Sequence, residues 1–156
     1  MEILLVRHAE AESSEVNPNR PLSKIGVGNI RKVATFIKSK VWDCQKILHS
    51  DKLRAEQTAK HLAGIAFPDA KIELSTGLSP NDSISRVAEQ LEKESENLIL
   101  VGHLPFMDKL VGLLSEGDEL ETPFSFPPAG VVCLEFDGVG YWKIKWTVTP
   151  DTINRD

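Results

Sequence analysis

Four residues of this chain could do chemistry together: Arg7, His8, Arg54 and His103. Two guanidiniums and two imidazoles in one crevice would make a strongly positive pocket. Arginine offers a planar fork of donors that suits phosphate or carboxylate oxygens. A neutral imidazole in such a pocket can attack phosphorus, giving a phosphohistidine that water later hydrolyses. The arginines would stabilise charge on the equatorial phosphoryl oxygens. Only one histidine need attack; the other, if protonated, would donate a hydrogen bond to the same oxygens. This chemistry needs no metal and no nucleotide. A metal site is the rival reading for two histidines. The arginines would repel a divalent cation, and no carboxylate stands beside the histidines at the strand ends, although Glu10 and Glu12 are close in sequence. The anion pocket is the better reading.

Three apolar runs must bring these residues together. Ile3-Leu4-Leu5-Val6 hands off to Arg7-His8, Leu98-Ile99-Leu100-Val101 to Gly102-His103, and Lys46-Ile47-Leu48 to His49-Ser50, with Arg54 close behind. Each has the length and continuity of a buried parallel strand. In open parallel sheets ligands sit outside the carboxyl ends of the strands, where all these residues would fall. The helix expected from about Pro105 would add its positive end to the same field.

Between the strands the pattern is helical. Residues 9–21 are a polar loop over the site. Leu22, Ile25, Ile30, Val33, Ala34 and Ile37 recur at helical spacing behind Ser23 as cap. Gly26 and Gly28 weaken that first turn by about 1 kcal/mol each, and close packing against the sheet would explain them. Ala55, Thr58, Ala59, Leu62 and Ala63 share a second stripe, and a short strand follows at 71–74. Ser79-Pro80-Asn81-Asp82 resembles a helix start, continued inward by Ile84, Val87, Ala88 and Leu91. Phe106, Met107, Leu110, Val111 and Leu114 form a core stripe. Residues 115–130 are an acidic, proline-rich connection, and a hairpin over Val131–Phe136 and Tyr141–Val148 turns at Asp137-Gly138-Val139-Gly140. The alternation predicts a three-layer α/β/α domain with a mostly parallel central sheet and an antiparallel C-terminal edge. One domain over 1–149 is expected, with a frayed tail over 150–156.

Composition narrows the function class. A chain of 156 residues, 41% hydrophobic and 26% charged, fits a soluble globular domain with one real core. The net charge of −5 argues against general nucleic-acid binding. Cys44 and Cys133 are too few and too far apart for a disulfide framework or zinc knuckle, and read as buried, reduced thiols. No run approaches the roughly 20 residues of a membrane span. The opening run lacks a basic n-region and stops at Arg7, so it does not read as a signal peptide. The expectation is a cytoplasmic protein that contacts neither membrane nor nucleic acid.

Leu5-Val6-Arg7-His8-Ala9 resembles the opening signature of the histidine phosphatase superfamily, which contains the phosphoglycerate mutases. The run from Ser50 to Ala59, Ser-Asp-Lys-Leu-Arg-Ala-Glu-Gln-Thr-Ala, resembles its second block, and Val101-Gly102-His103 its third. The short length, Arg20-Pro21-Leu22-Ser23 and Phe126-Pro127-Pro128-Ala129-Gly130 resemble the SixA-type phosphohistidine phosphatases. The resemblance implies that His8 is the phosphorylated nucleophile, that Arg7 and Arg54 bind phosphoryl oxygens, and that His103 is the second pocket histidine. It implies that Arg20 lines the mouth. Many members supply a carboxylic acid after the second block to protonate an alcohol leaving group. Here that region reads Leu78-Ser79-Pro80-Asn81-Asp82, with no convincing acid. A phosphohistidine substrate, whose protonated imidazole leaves readily, eases the gap.

The resemblance thus implies a metal-independent, cofactor-free phosphatase, acting on phosphohistidine in a protein partner. Its alternatives are a phosphatase for small phosphate esters and a module that binds phosphoresidues without turning them over. An interaction protein using its acidic loop, with a decayed site, is a further possibility, but nothing in the motifs reads as decayed. His49 is expected to be structural and His61 to lie on a helix surface.

Overall fold

A computed structural model describes residues 1–153 of the chain. Six strands form one sheet, β1 (Glu2–Arg7), β2 (Lys46–His49), β3 (Lys71–Leu74), β4 (Leu98–Gly102), β5 (Val131–Phe136) and β6 (Trp142–Val148). Their order is β3-β2-β4-β1-β5-β6. The first four run parallel, and β5 and β6 are antiparallel to their neighbours. The helices are α1 (Lys24–Ser39), α2 (Leu53–Ala66), α3 (Ile84–Glu92), α4 (Phe106–Glu116) and the short α5 (Pro150–Ile153). The fold is the expected α/β layering, with a mostly parallel sheet and an antiparallel C-terminal edge of two strands.

Alternation along the strands divides the core in two. Leu4, Val6, Ile47, Ile99 and Val101 point to one face, where they meet Ile30, Val33 and Ile37 of α1 and Ala55, Ala59 and Leu62 of α2. Ile3, Leu5, Leu98 and Leu100 point to the other, against Ile84, Val87 and Leu91 of α3 and Phe106, Met107 and Leu110 of α4. Because β1 and β4 are covered on both faces, their sequences are unbroken apolar runs. Among the described residues no helix is long and apolar enough to cross a membrane.

Ser23 caps α1 as expected, its hydroxyl accepting from the Gly26 N–H at 3.0 Å. Four details depart from the sequence reading. Ile25 is exposed and Gly26 takes the buried place instead, because the backbone carbonyl of Glu10 lies where a Gly26 side chain would stand. The close approach is thus to the loop after β1 and not to the sheet, and Gly28 faces open space. Ser79–Asp82 is a turn, with the Ser79 N–H donating to Asp82 Oδ2 at 2.9 Å, and the helix starts only at Ile84. The tail expected to fray from residue 150 begins as α5, with Pro150 buried and Ile153 packed on the core. Residues 154–156 lie outside the described residues.

Candidate active site

Strand order does most of the work of assembly. β2, β4 and β1 are adjacent, and their register pairs Arg7 with Gly102 and His49 with Val101. The next residues on each strand, His8, His103 and Ser50, therefore emerge side by side at the carboxyl edge. The His8 and His103 rings lie 5.0 Å apart between centroids, tilted by 53°. The His8 N–H donates to the Gly102 carbonyl at 2.9 Å, and the Ser50 N–H to the Val101 carbonyl at 3.3 Å. Parallel pairing thus continues one step past the strands. A side chain at Gly102 would come within 2.6 Å of Met107 Cε, the flexible end of that side chain, which would have to move aside.

The second block organises what surrounds His8. Arg54 lies in the first turn of α2, and Thr58 one turn later is fully buried. The Thr58 hydroxyl donates to the Arg54 carbonyl at 2.7 Å and accepts the Ala9 N–H at 3.0 Å, joining the nucleophile loop to the helix. Gln57 Oε1 takes the Leu22 N–H at 2.8 Å, tying down the far end of the same loop. Ala55 and Ala59 have no exposed surface, which lets α2 lie close on the sheet. The block around Arg54 made it a candidate; the tethering by Gln57 and Thr58 was not evident, since it connects residues far apart in the chain.

Arg7 is held from the opposite side. Its Nη1 donates to the Phe126 carbonyl at 2.9 Å, and the Phe126 N–H donates to Asp108 Oδ1 at 3.1 Å. The Ala129 N–H reaches both the Arg7 and His8 carbonyls, each at 3.2 Å. Ala129 holds a left-handed φ of 63° to do so, a conformation that costs an L-residue about 1–2 kcal/mol. Arg20, likewise left-handed with φ of 49°, anchors its Nε on the Glu12 carbonyl at 3.1 Å. Its charge acts on His8, Arg54 and His103 alike.

The hydrogen bonds set the protonation of His8. Nδ1 lies 2.7 Å from the Ala9 carbonyl, which can only accept, so Nδ1 carries the proton and Nε2 keeps its lone pair. Burial, then the charges of Arg54, Arg7 and Arg20, press His8 down to about 4, against the opposing pull of the Ala9 carbonyl. Burial, His8 and the surrounding cations press His103 down to about 3. Both rings are neutral in the free protein at neutral pH.

Among the described residues, four buried side-chain nitrogens lack a hydrogen-bond partner: Arg7 Nε, Arg54 Nε, His103 Nδ1 and Trp142 Nε1. Three of the four belong to the strand-end constellation. Buried donors without partners are costly, and each asks for an explanation. Arg7 Nε and Arg54 Nε are donors, His103 Nδ1 is one only in its Nδ1–H tautomer, and an oxyanion among them would offer acceptors. Glu10 instead accepts from Ser23 Oγ at 3.2 Å. Asp51 and Asp82, the carboxylates nearest in sequence to the second block and the turn, are exposed and line a neighbouring cavity of about 330 Å³ with Ser79 and Arg86. His49 is buried, with Nδ1 on the Ser50 carbonyl at 2.7 Å, and His61 lies on α2 near the charge of Arg31.

Comparison with known proteins agrees with this geometry. Residues 3–79 match the profile of the histidine phosphatase superfamily, branch 1. The phosphohistidine phosphatase SixA of Escherichia coli K12 is 25% identical over 155 residues, covering 96% of this chain and 94% of that one. The solved structure of SixA complexed with tungstate superposes with a TM-score of 0.88 at 25% identity, over 98% of this chain and 99% of that one. A phosphoserine phosphatase of Entamoeba histolytica in complex with phosphoserine shares the fold, with a TM-score of 0.71 at 19% identity over 96% and 97% of the two chains. The chain is thus similar to the histidine phosphatase superfamily over nearly half its length and to SixA over almost all of it. These likenesses support a phosphatase activity.

Proposed function

We propose that the protein is a metal-independent phosphatase that removes phosphoryl groups from phosphohistidine in proteins, through a phosphorylated His8. The observation that carries the reading is the pairing of a free His8 Nε2 with three unpartnered buried donors on Arg7, Arg54 and His103. Nε2 attacks phosphorus as the bond to the substrate's imidazole nitrogen breaks, and that imidazole, already protonated on its other nitrogen, leaves as a neutral ring. Arg7 and Arg54 take the charge on the equatorial oxygens, His103 Nδ1 donates to one of them, and Arg20 adds its field at the mouth. Water then attacks the phosphohistidine, releasing inorganic phosphate and restoring neutral His8. The two guanidiniums do the work a divalent cation does elsewhere.

The substrate class follows from the leaving group. An alkoxide needs a proton from a nearby acid, and Asp51 and Asp82 are exposed rather than poised for that role. A protonated imidazole needs no such donor. The likeness to SixA points the same way, whereas the fold by itself also serves phosphoserine chemistry. A reducing, cytoplasmic setting suits the two buried free thiols, Cys44 and Cys133.

The test is phosphate release from a phosphohistidine-bearing protein and from an aryl phosphate, with chelator present and His8→Ala alongside. Turnover that survives chelator, disappears in the variant and favours phosphohistidine is the expected result. Preference for the aryl ester would move the assignment to small phosphate esters. Tight phosphate binding without turnover would make the protein a phosphoresidue-binding module.

A further inference from the structure

Ser50 is 1% exposed and its backbone is fixed on both sides. Its N–H is bound to the Val101 carbonyl, and its own carbonyl takes the His49 ring proton at 2.7 Å. The hydroxyl oxygen accepts the Lys52 N–H at 3.3 Å and lies 2.5 Å from His103 Nε2. Two proton arrangements satisfy that short contact, with opposite consequences for the pocket. If Nε2–H donated to Ser50, the serine hydrogen would have no other acceptor among the described residues. His103 Nδ1 would then be a buried lone pair facing incoming phosphoryl oxygens, which repel it. If Ser50 donates to Nε2, the serine hydrogen is satisfied and the proton of His103 must sit on Nδ1. The one nitrogen of that ring without a protein partner then becomes a donor.

We propose that Ser50 is a positioning residue that locks His103 in its Nδ1–H tautomer, so that a neutral imidazole presents an N–H to the phosphoryl group. The inference rests on the phosphoryl-pocket reading for its consequence, but the tautomer is a property of the free protein. Protonating His103 would require a second hydrogen on Nε2, against the one Ser50 already supplies. His49, through the Ser50 carbonyl, serves the same purpose by fixing where that hydroxyl points. Both residues stood in the sequence close to Arg54, but only the sheet register sets Ser50 against His103.

Nitrogen-15 spectra of the histidines in the free protein, recorded at mildly alkaline pH, test the tautomer directly. His103 protonated on Nδ1, with a mixture appearing in Ser50→Ala, is the expected result; a wild-type ring protonated on Nε2 would overturn the proposal. Kinetics on an aryl phosphate test the role. Ser50→Ala should lower kcat/KM by about tenfold, the scale of one lost charge-directed hydrogen bond, while Ser50→Thr, which keeps the hydroxyl, restores it. In a His103→Asn background, where an amide N–H stands near the place of Nδ1 and nothing remains at Nε2, Ser50→Ala should cost nothing further. An equal loss in both backgrounds would mean that Ser50 acts by other means. If no phosphate substrate is turned over, the functional reading fails while the spectra still decide the tautomer.

Discussion

Asp108 and Arg7 are coupled through a single peptide unit: the Phe126 N–H binds the Asp108 carboxylate, and the Phe126 carbonyl binds the Arg7 guanidinium. The charge of Asp108 also favours the charged form of Arg7, which burial opposes. Asp108 is therefore expected to aim Arg7 from the back. Asp108→Ala should lower kcat/KM by about tenfold to a hundredfold, the loss expected for one or two charge-assisted hydrogen bonds. Asp108→Asn, which keeps an acceptor for Phe126 but no charge, should fall between. Steady-state kinetics on one substrate measure both, and an unchanged Asp108→Ala would show that the Phe126 peptide holds its place unaided.

Acid should loosen the fold through the two pocket histidines. An unfolded histidine takes up its proton near about 6.5, whereas folded His8 waits until about 4 and His103 until about 3. Between those limits the unfolded chain binds more protons, so stability rises with pH across the window. It is fully present above the unfolded value and is lost as pH falls toward the folded ones. Urea midpoints across that range should show the slope, and His103→Asn should flatten part of it. Tungstate or phosphate should oppose the loss, because an anion among the rings favours their charged forms.

Thr58 should matter to stability more than its size suggests. Thr58→Val keeps the shape but strips the Ala9 N–H of its acceptor, and a buried donor left bare costs about 1–3 kcal/mol. Equilibrium denaturation should find that loss. Thr58→Ser, which retains the hydroxyl, should recover most of it.

The two glycines at the start of α1 should respond in opposite directions. Gly28 meets nothing where a side chain would stand, so Gly28→Ala should stabilise by about 0.5–1 kcal/mol. At Gly26 the Glu10 carbonyl occupies that space, so Gly26→Ala must displace the loop that follows His8 and should lose both stability and activity. Thermal melts and kinetics on the pair separate the cases, and a harmless Gly26→Ala would show the loop to be free to shift.

Legibility in the sequence followed the range of the interactions. β1 and β4 were readable because burial on both faces writes a continuous apolar run, and a strand that ends on histidine announces a site edge. Arg54 alone reads as a solvated helix arginine, and only the block around it, close behind β2, made it a candidate. Ile25 misled because its helical spacing is right, but the Glu10 backbone reserves the inner face for Gly26. Ser79-Pro80 misled because capping residues are also turn residues, and here Asp82 closes a turn before α3 begins. The partners of the site, Ser50 on His103 and Asp108 behind Arg7, join segments that only the finished sheet makes neighbours. No local pattern encodes them, although a serine just past a strand end and an acid in the first turn of α4 mark where to look.

The strand order also dictates a sequence of events in synthesis. β1 pairs with β4 and β5 and with neither β2 nor β3, so Arg7 and His8 are made well before their partners and have no sheet to join until Leu98 and its neighbours emerge. A nascent or truncated chain that stops short of β4 holds the nucleophile without His103 or either strand that frames it. Such a fragment leaves its most apolar strand unpaired, an edge prone to association with other chains. Activity in this protein should therefore arrive all at once, and late.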